Sequence, residues 1–438
     1  EASIDSRKTQ KNNIFFGIKG KNFDGNKFVN QAFKNGASIS INENKNKKKF
    51  KNDIYVKNPL KTFSEIAKLV RASSNISSIA ITGSSGKTTL KEMLGQMMSK
   101  ICQTSYSKKS FNNKYGVPIS LFNINKEDKI GIFEVGMDKR GEIDFLTKKI
   151  MPNVGVITNI SYAHIKNFQN LKGIAYAKAE IINNIAQHGS IILNADDNFF
   201  KFFESKSKKK KLKIISFGIN KKSDVHLINI KSGKFNSIIH VKNNKKKLKF
   251  IIKTQLENYI YNILSTLAVI SVYYDLEKLD KFFFNDYKFP EGRGDFNIIK
   301  LKDKKINFID ESYNSNPLSL QFAINKFNRL NTKPSRKLIL LSDMLELGKY
   351  SKKLHIDAAQ YINATQIDKV YVYGKEIIKT FNKIKPQKRG RILNSKKDIL
   401  DFIISDIKNG EYLMIKGSNS TGLNKISQSL KIGKLNAI

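Results

Sequence analysis

Short apolar runs separated by polar, periodic segments recur along the whole chain. Between residues 14 and 41 such runs alternate with Gly, Asn and Asp turns, and residues 62–72 then place Ile66, Leu69 and Val70 at helical spacing. A small α/β unit is predicted there. Residues 73–78 are small and polar, suited to a linker, and the apolar run 79–81 opens the next unit as a buried strand. Strand-like runs at 130–135, 154–158, 190–193 and 214–217 are separated by helical patterns such as 174–185. This alternation predicts a parallel, doubly wound sheet of the kind that binds nucleotides. A helix is predicted at 257–273, then a hinge at Pro290-Glu291-Gly292-Arg293-Gly294, after which strand and helix alternate again through Ile309, 338–341, 370–373 and 412–415. The expected fold class is α/β in three domains: 1–73, a central doubly wound mononucleotide-binding domain at 74–293, and 294–438, with the smaller domains on either side.

One segment carries chemistry in its spacing. Thr82-Gly83-Ser84-Ser85-Gly86-Lys87-Thr88-Thr89 lies between the apolar strand and an amphipathic helix containing Leu90, Met93, Leu94 and Met97. This is the context of a phosphate loop (P-loop), here the short G-x-x-G-K-T-T form, because Ile81 stands where a longer loop has its first glycine. The glycines let backbone N–H groups turn toward phosphate, the helix N-terminus adds positive potential, Lys87 can reach the outer phosphates and Thr88 can ligate Mg²⁺. Glu134 falls at the carboxyl end of a predicted strand, where open α/β sheets bind ligands and where a second oxygen donor could hold Mg²⁺. On residue type alone Glu134 could equally be solvated. His164, beyond another strand, would be structural more often than not, and Lys178 would pass for a surface lysine.

Composition adds bounds. The 79 Lys and Arg against 37 Asp and Glu give 79 − 37 = +42, a field that attracts nucleic acid, anionic lipid or a polyanionic metabolite. Abundant Asn and Ile and the absence of Trp accompany the lysines, a joint bias in the direction of AT-rich coding. The densest basic runs, 45–51, 206–213 and 245–249, lack interleaved aromatics or Arg and are expected as solvated loops or strand edges. No nucleic-acid partner is therefore expected. The single Cys102 excludes an intramolecular disulfide and a cysteine-based zinc site. No apolar run approaches the roughly 18 residues of a membrane span, so no membrane insertion and a cytoplasmic location are expected. Nothing demands more than a monomer. The chain starts at Glu1 inside what reads as a motif, so a short preceding segment is expected.

The last third brings a resemblance. Asp310-Glu311-Ser312-Tyr313-Asn314-Ser315-Asn316-Pro317 and Leu341-Ser342-Asp343-Met344-Leu345-Glu346-Leu347-Gly348 resemble the paired signature of one member of the Mur ligase family. The match extends in order through Asp5-Ser6-Arg7, Asp24-Gly25, the phosphate loop, Asn112-Asn113 with Gly116-Val117-Pro118, Glu134-Val135-Gly136 with Gly141-Glu142-Ile143, and Lys416-Gly417-Ser418. The resemblance implies an ATP-dependent, ADP-forming ligase that joins D-alanyl-D-alanine to UDP-N-acetylmuramoyl-tripeptide through an acyl phosphate in peptidoglycan precursor synthesis. It implies two Mg²⁺ ions, the first at Thr88 and Glu134 and the second at His164 and at Lys178, the latter carbamylated. Lys87, Lys178 and His164 are implied as catalytic. ATP is assigned to Gly83, Ser84, Ser85, Gly86, Lys87, Thr88, Thr89, Asn262, Arg293 and Asp310, and substrate to Ser6, Arg7, Asn112, Asn113, Tyr313, Asn314 and Asn316. Before Asn262 the chain departs from the family at Leu256, Glu257, Asn258 and Tyr259, and Asn419 replaces an arginine that often follows Lys-Gly-Ser. His355 is implied near the nucleotide or as a cap. Two other readings compete: a sibling amide ligase with another substrate, and a nucleic-acid-stimulated P-loop ATPase.

Overall fold

The computed structural model describes residues 1–20, 22–45, 50–301 and 304–433, which form three sheets in chain order. The first is parallel, with strands Ala2–Ser3, Ile14–Phe16, Ile39–Asn42 and Asp53–Tyr55 lying in sequence order. Helix Pro59–Ser73 follows. Its start lies ahead of the predicted one because the Asn58 side chain caps the Lys61 N–H at 2.9 Å and Pro59 occupies the first turn, where an N–H is not needed. Phe63 of this helix is buried between Phe16 of the first sheet and Phe122 of the central domain, with ring centroids 4.8 and 5.6 Å away.

Arg71, near the end of that helix, is buried and donates to the Ile150 carbonyl at 2.8 Å, the Ser78 hydroxyl at 2.8 Å and the Met151 carbonyl at 3.3 Å. It staples the first domain to the second. Arg71→Leu keeps the apolar stem but strands those acceptors, and a loss of roughly 2 kcal/mol is expected, read as a lower urea midpoint.

The central sheet has the spatial order Lys246–Lys253, Asn236–Asn243, Val225–Lys231, Lys213–Gly218, Ser190–Asn194, Val154–Ile157, Ser77–Thr82, Ile130–Glu134, Thr104–Tyr106. From Thr104–Tyr106 across to Val225–Lys231 every pairing is parallel. The doubly wound expectation holds to that point. The last two strands are an antiparallel extension that the apolar pattern does not predict. Their inward side chains, such as Ile239, Val241, Phe250 and Ile252, are buried, while exposed Lys247, Lys249 and Lys253 at alternate positions of the outermost strand obscure the run.

Strand Ser77–Thr82 is buried on both faces, as a central parallel strand must be. Ile79 and Ile81 pack with Leu90, Met93, Leu94 and Met97 of helix Lys87–Met98 and with helix Ile260–Ile270. Ala80 faces the opposite layer, whose apolar cluster runs on into Ile324, Ile339, Leu341 and Met344 of the last domain. The helix expected at 174–185 is two, Leu171–Lys178 and Glu180–Asn183, broken at Ala179. The one expected at 257–273 opens as the 3-10 turn Thr254–Tyr259 before Ile260–Ile270.

The third sheet runs Asp295–Leu301, Lys304–Glu311, Tyr412–Lys416, Lys337–Ser342, Lys369–Tyr373, Arg389–Leu393, parallel except for its first pair. Of the basic runs, 245–249 lies at the turn into the edge strand and 206–213 spans a helix end and the start of a strand. Residues 46–49 of the run 45–51 lie outside the described residues. No described helix is long and apolar enough to cross a membrane.

Candidate active site

Strand Ser77–Thr82 lies between Ile130–Glu134 and Val154–Ile157, and the connections from those strands leave in different directions. This is a topological switch point, and the loops at the carboxyl ends of the three strands open a crevice there. The phosphate loop is one wall. Gly83 has φ +149°, and a Cβ on it would lie 1.8 Å from Thr158 Oγ1, so only glycine fits. The following segment braces the loop: Ser84 N–H donates to the Asn159 carbonyl at 2.9 Å, Ser85 N–H to Asn159 Oδ1 at 3.0 Å, and Thr158 Oγ1 to the Ser85 carbonyl at 2.7 Å. Two amides assigned to ATP from sequence are thus engaged by protein, and the Ser84 hydroxyl pairs with Ser161. Gly86, at φ +81°, starts helix Lys87–Met98, whose first-turn N–H groups have no intrahelical partner and remain to face an anion. Lys87 folds back to donate to the Gly83 carbonyl at 2.8 Å, and burial lowers its pKa against the opposing pull of Glu134.

Beside the loop lies a continuous hydrogen-bond chain. Thr88 Oγ1 donates to Glu134 Oε2 at 2.6 Å, and Asn112 Nδ2 donates to Glu134 Oε1 at 2.7 Å. The single Thr88 proton is committed to Glu134, so Ser110, 3.1 Å away, is the donor to Thr88 and in turn accepts from Arg293 at 3.2 Å. Thr88 and Glu134 are both buried. A hydroxyl and a carboxylate in contact beside a phosphate site are the hard oxygen donors that suit Mg²⁺.

Lys178 ends helix Leu171–Lys178 and is almost fully buried, yet its amine makes no hydrogen bond to any described residue. Burial, reinforced by the nearby positive Lys87, holds its pKa well below the ordinary lysine value. His164 sits in the left-handed region at φ +58°, with Nδ1 against the carboxylate of Glu346 from the third domain and 3.1 Å from Asp138 Oδ1. Thr88 and Glu134 are in direct contact, and the positive Lys87 of the phosphate loop acts on Lys178.

The third domain roofs the crevice. Asn316 caps helix Pro317–Arg329 and reaches Ser85 Oγ at 3.0 Å, linking the two domains through one side chain. The cleft between them, partly open to solvent, has a volume of 450 Å³, within the usual range for a small-molecule site. Ser85, Gly86, Thr89, Asn262, Arg293 and Asn314 line it, as does Asn258 where the sequence departs from the family. Asn262 donates to the Gly86 carbonyl at 3.3 Å. Arg293 lies 4.2 Å from the Tyr313 ring centroid in a cation–π stack. Gly294 lets the hinge pass Lys326, Tyr259 and Glu311, all within 2.7 Å of where its Cβ would stand.

Several assignments fall elsewhere. Asp310 does not line the cavity: its buried carboxylate is taken by Lys431 at 2.6 Å and by Ser312, which fixes the strand end. Asn113 caps the turn into helix Gly116–Phe122 through the Tyr115 and Gly116 N–H groups, each at 3.0 Å. Ser6 bonds Gln31 at 2.8 Å, and the exposed Arg7 forms a two-pronged pair with Asp5 in the first domain, outside the nucleotide cavity. His355 is fully buried and structural: Nδ1–H donates to the Ser351 carbonyl at 2.8 Å, Nε2 accepts from Met344 N–H at 3.1 Å, and burial lowers its pKa. Sequence reasoning assigned no role to Ser110, Asn159, Lys326, Lys416 or Glu311. Lys416 and Glu311 sit inside recognised motifs, 3.7 Å apart, whereas Ser110 and Asn159 carry no local signal.

A phosphate loop at a switch point, an oxygen-donor pair beside it and a second α/β domain closing the cavity define a P-loop ATP-using enzyme. Residues 2–100 match the Mur ligase family catalytic domain, 81–270 the Mur ligase middle domain, and 296–419 the Mur ligase glutamate ligase domain. The chain belongs to the Mur ligase family. It is 32% identical, over 85% of its length and 80% of the relative's, to the UDP-N-acetylmuramoyl-tripeptide–D-alanyl-D-alanine ligase of Buchnera aphidicola subsp. Baizongia pistaciae. It is 26% identical to the ligase of that name from Bacillus subtilis, covering 98% of this chain and 92% of the relative. The crystal structure of MurF from Acinetobacter baumannii superposes with a TM-score of 0.85 at 26% identity, covering 98% of this chain and 93% of that one.

Proposed function

We propose that this chain joins D-alanyl-D-alanine to UDP-N-acetylmuramoyl-tripeptide with ATP, releasing ADP and phosphate, in peptidoglycan precursor synthesis. Full-length similarity to ligases of that name supports the substrate pair. The observation that carries the chemistry is the buried Thr88–Glu134 contact beside the phosphate loop, whose Ser85 and Gly86 line the cleft shared with the third domain. A carboxylate is a poor acyl donor, and its attack on the γ-phosphate makes an acyl phosphate with a leaving group. The dipeptide amine then displaces phosphate through a tetrahedral intermediate.

Mg²⁺, when bound, neutralises charge shared between the γ-phosphate and the attacking carboxylate. Thr88 and Glu134 would hold one ion, while His164 and Lys178 would hold the second, Lys178 as its carbamate. The support for that modification is chemical: burial lowers the pKa of an amine that has no hydrogen-bond partner among the described residues, which favours the neutral form that adds CO₂, and the product offers oxygen to a hard cation. Lys87 swings from Gly83 to the phosphates, and Arg293, stacked on Tyr313 at the hinge, completes the positive wall. Leu90, Phe217, Asn258 and Asn262 line the cavity and would hold the adenine. The domains are assigned as 1–73 for the uridine nucleotide, with Ser6 and Arg7, 74–293 for ATP, and 294–438 for closure and the dipeptide, with Tyr313, Asn314 and Asn316.

Incubation with ATP, the muramoyl tripeptide and D-alanyl-D-alanine should give the pentapeptide product by mass spectrometry together with stoichiometric ADP. No ADP with that substrate pair would sink the assignment. A product formed only with another amine would mark a sibling ligase.

A further inference from the structure

The contact between His164 and the third domain has no place in the reading above. Glu346 lies in the loop after strand Lys337–Ser342, across the domain boundary from His164, and its carboxylate meets His164 Nδ1. Both residues are non-glycine yet left-handed, His164 at φ +58° and Glu346 at φ +66°. Such a backbone persists only where surroundings enforce it, and here two enforced residues meet face to face. The enforcement is visible on both sides. The Glu346 carbonyl accepts from Lys166 N–H at 3.0 Å, Lys166 Nζ approaches Glu346 Oε1 at 3.3 Å, and Tyr350 donates to the Gln169 carbonyl at 2.8 Å across the same boundary.

We propose that Glu346 is a positioning residue through which seating of the third domain presents His164 as a metal ligand. The inference rests on the proposed role of His164 at the second ion. An imidazole can give a lone pair to a cation from only one nitrogen, and a carboxylate on the other nitrogen fixes the proton there, sets the ring orientation and raises its basicity. In this molecule the Asp138 and Glu346 carboxylates lie within ion-pair reach of Nδ1, which has no hydrogen-bond partner among the described residues; a turn of the ring that brings Nδ1–H onto Glu346 leaves the lone pair on Nε2. Asp138 belongs to the same domain as His164 and is largely exposed; Glu346 arrives only when the third domain is seated. Metal affinity and closure are therefore linked through one ring. Metal that binds better to the closed form must, by the same linkage, favour closure.

The test measures Mn²⁺ bound to the full chain with a non-hydrolysable ATP analogue, by electron paramagnetic resonance, beside the Mg²⁺ half-saturation of ADP formation. Glu346→Ala should weaken binding at the second ion roughly ten- to hundredfold. Glu346→Gln keeps an acceptor for Nδ1–H without the charge and should fall between it and the unaltered chain. Tyr350→Phe removes a contact across the same boundary without touching His164 and should leave metal affinity within about twofold, by contrast with the range expected of a metal-supporting partner. If His164→Ala weakens Mn²⁺ binding while neither Glu346 variant does, the positioning role is overturned and the ligand role of His164 stands. If His164→Ala changes nothing, the ligand role itself fails. Equal losses in Tyr350→Phe and Glu346→Ala would mean that closure in general, not this contact, governs the ion, and would also overturn the proposal.

Discussion

Lys178→Met is expected to lower ADP formation about a hundred- to a thousandfold, the range for losing one preorganised electrostatic group at a reacting phosphate. It should do so without destabilising the fold. The amine is almost fully buried and makes no hydrogen bond to any described residue, so its desolvation is uncompensated, and a thioether of similar length removes that cost. Melting temperature should therefore hold or rise while activity collapses. Lys178→Arg should be equally inactive, since a guanidinium stays charged and cannot form the carbamate. Isotopically labelled bicarbonate should give a carbamate resonance in the unaltered protein that is absent from Lys178→Met. A fully active Lys178→Met would remove this residue from the second ion's site.

Gly83→Ala is the second large effect, and its cause is steric. The new Cβ would stand 1.8 Å from Thr158 Oγ1, on a backbone at φ +149° that L side chains rarely adopt. Thr158 cannot simply turn away, because its hydroxyl holds the Ser85 carbonyl at 2.7 Å and so sets the loop's shape. A loss of about 3 kcal/mol in stability is expected from combined strain and overlap, with ATP affinity lower by more than about tenfold. The double variant Gly83→Ala with Thr158→Ala should recover part of the stability, because the overlap goes while the backbone strain stays. Strict additivity of the two single changes in urea titrations would show that the contact is not the cause.

The phosphate loop and its flanking elements were readable because their logic is local. An apolar strand, two glycines and an amphipathic helix follow one another within a few turns of chain, and the structure places them as Ser77–Thr82, Gly83 to Gly86 and Lys87–Met98. Glu134 was readable as a strand end. The antiparallel strands Asn236–Asn243 and Lys246–Lys253 were not, because their buried residues, Ile239 and Val241 in one and Leu248, Phe250 and Ile252 in the other, are short alternations flanked by the lysines of 245–249 and Lys242 and Lys253. At Asp310 packing adds what the motif does not show: its carboxylate pairs with Lys431, more than a hundred residues away in sequence.

By itself the sequence determined the class of fold, the place of the phosphate loop and the kinship to Mur ligases, since each depends on periodicity, on short spacing or on residues read in order. Tertiary structure alone decided which side chains complete the site. Ser110 between Thr88 and Arg293, Asn159 beneath Ser85, Asn316 reaching across to Ser85 and Glu346 against His164 are coil residues whose partners lie in other segments or other domains. No local pattern marks Ser110 or Asn159, and the motifs holding Asn316 and Glu346 do not tell which partners they meet, because a hydrogen bond needs donor and acceptor within about 3 Å, and the packing of the domains sets that distance.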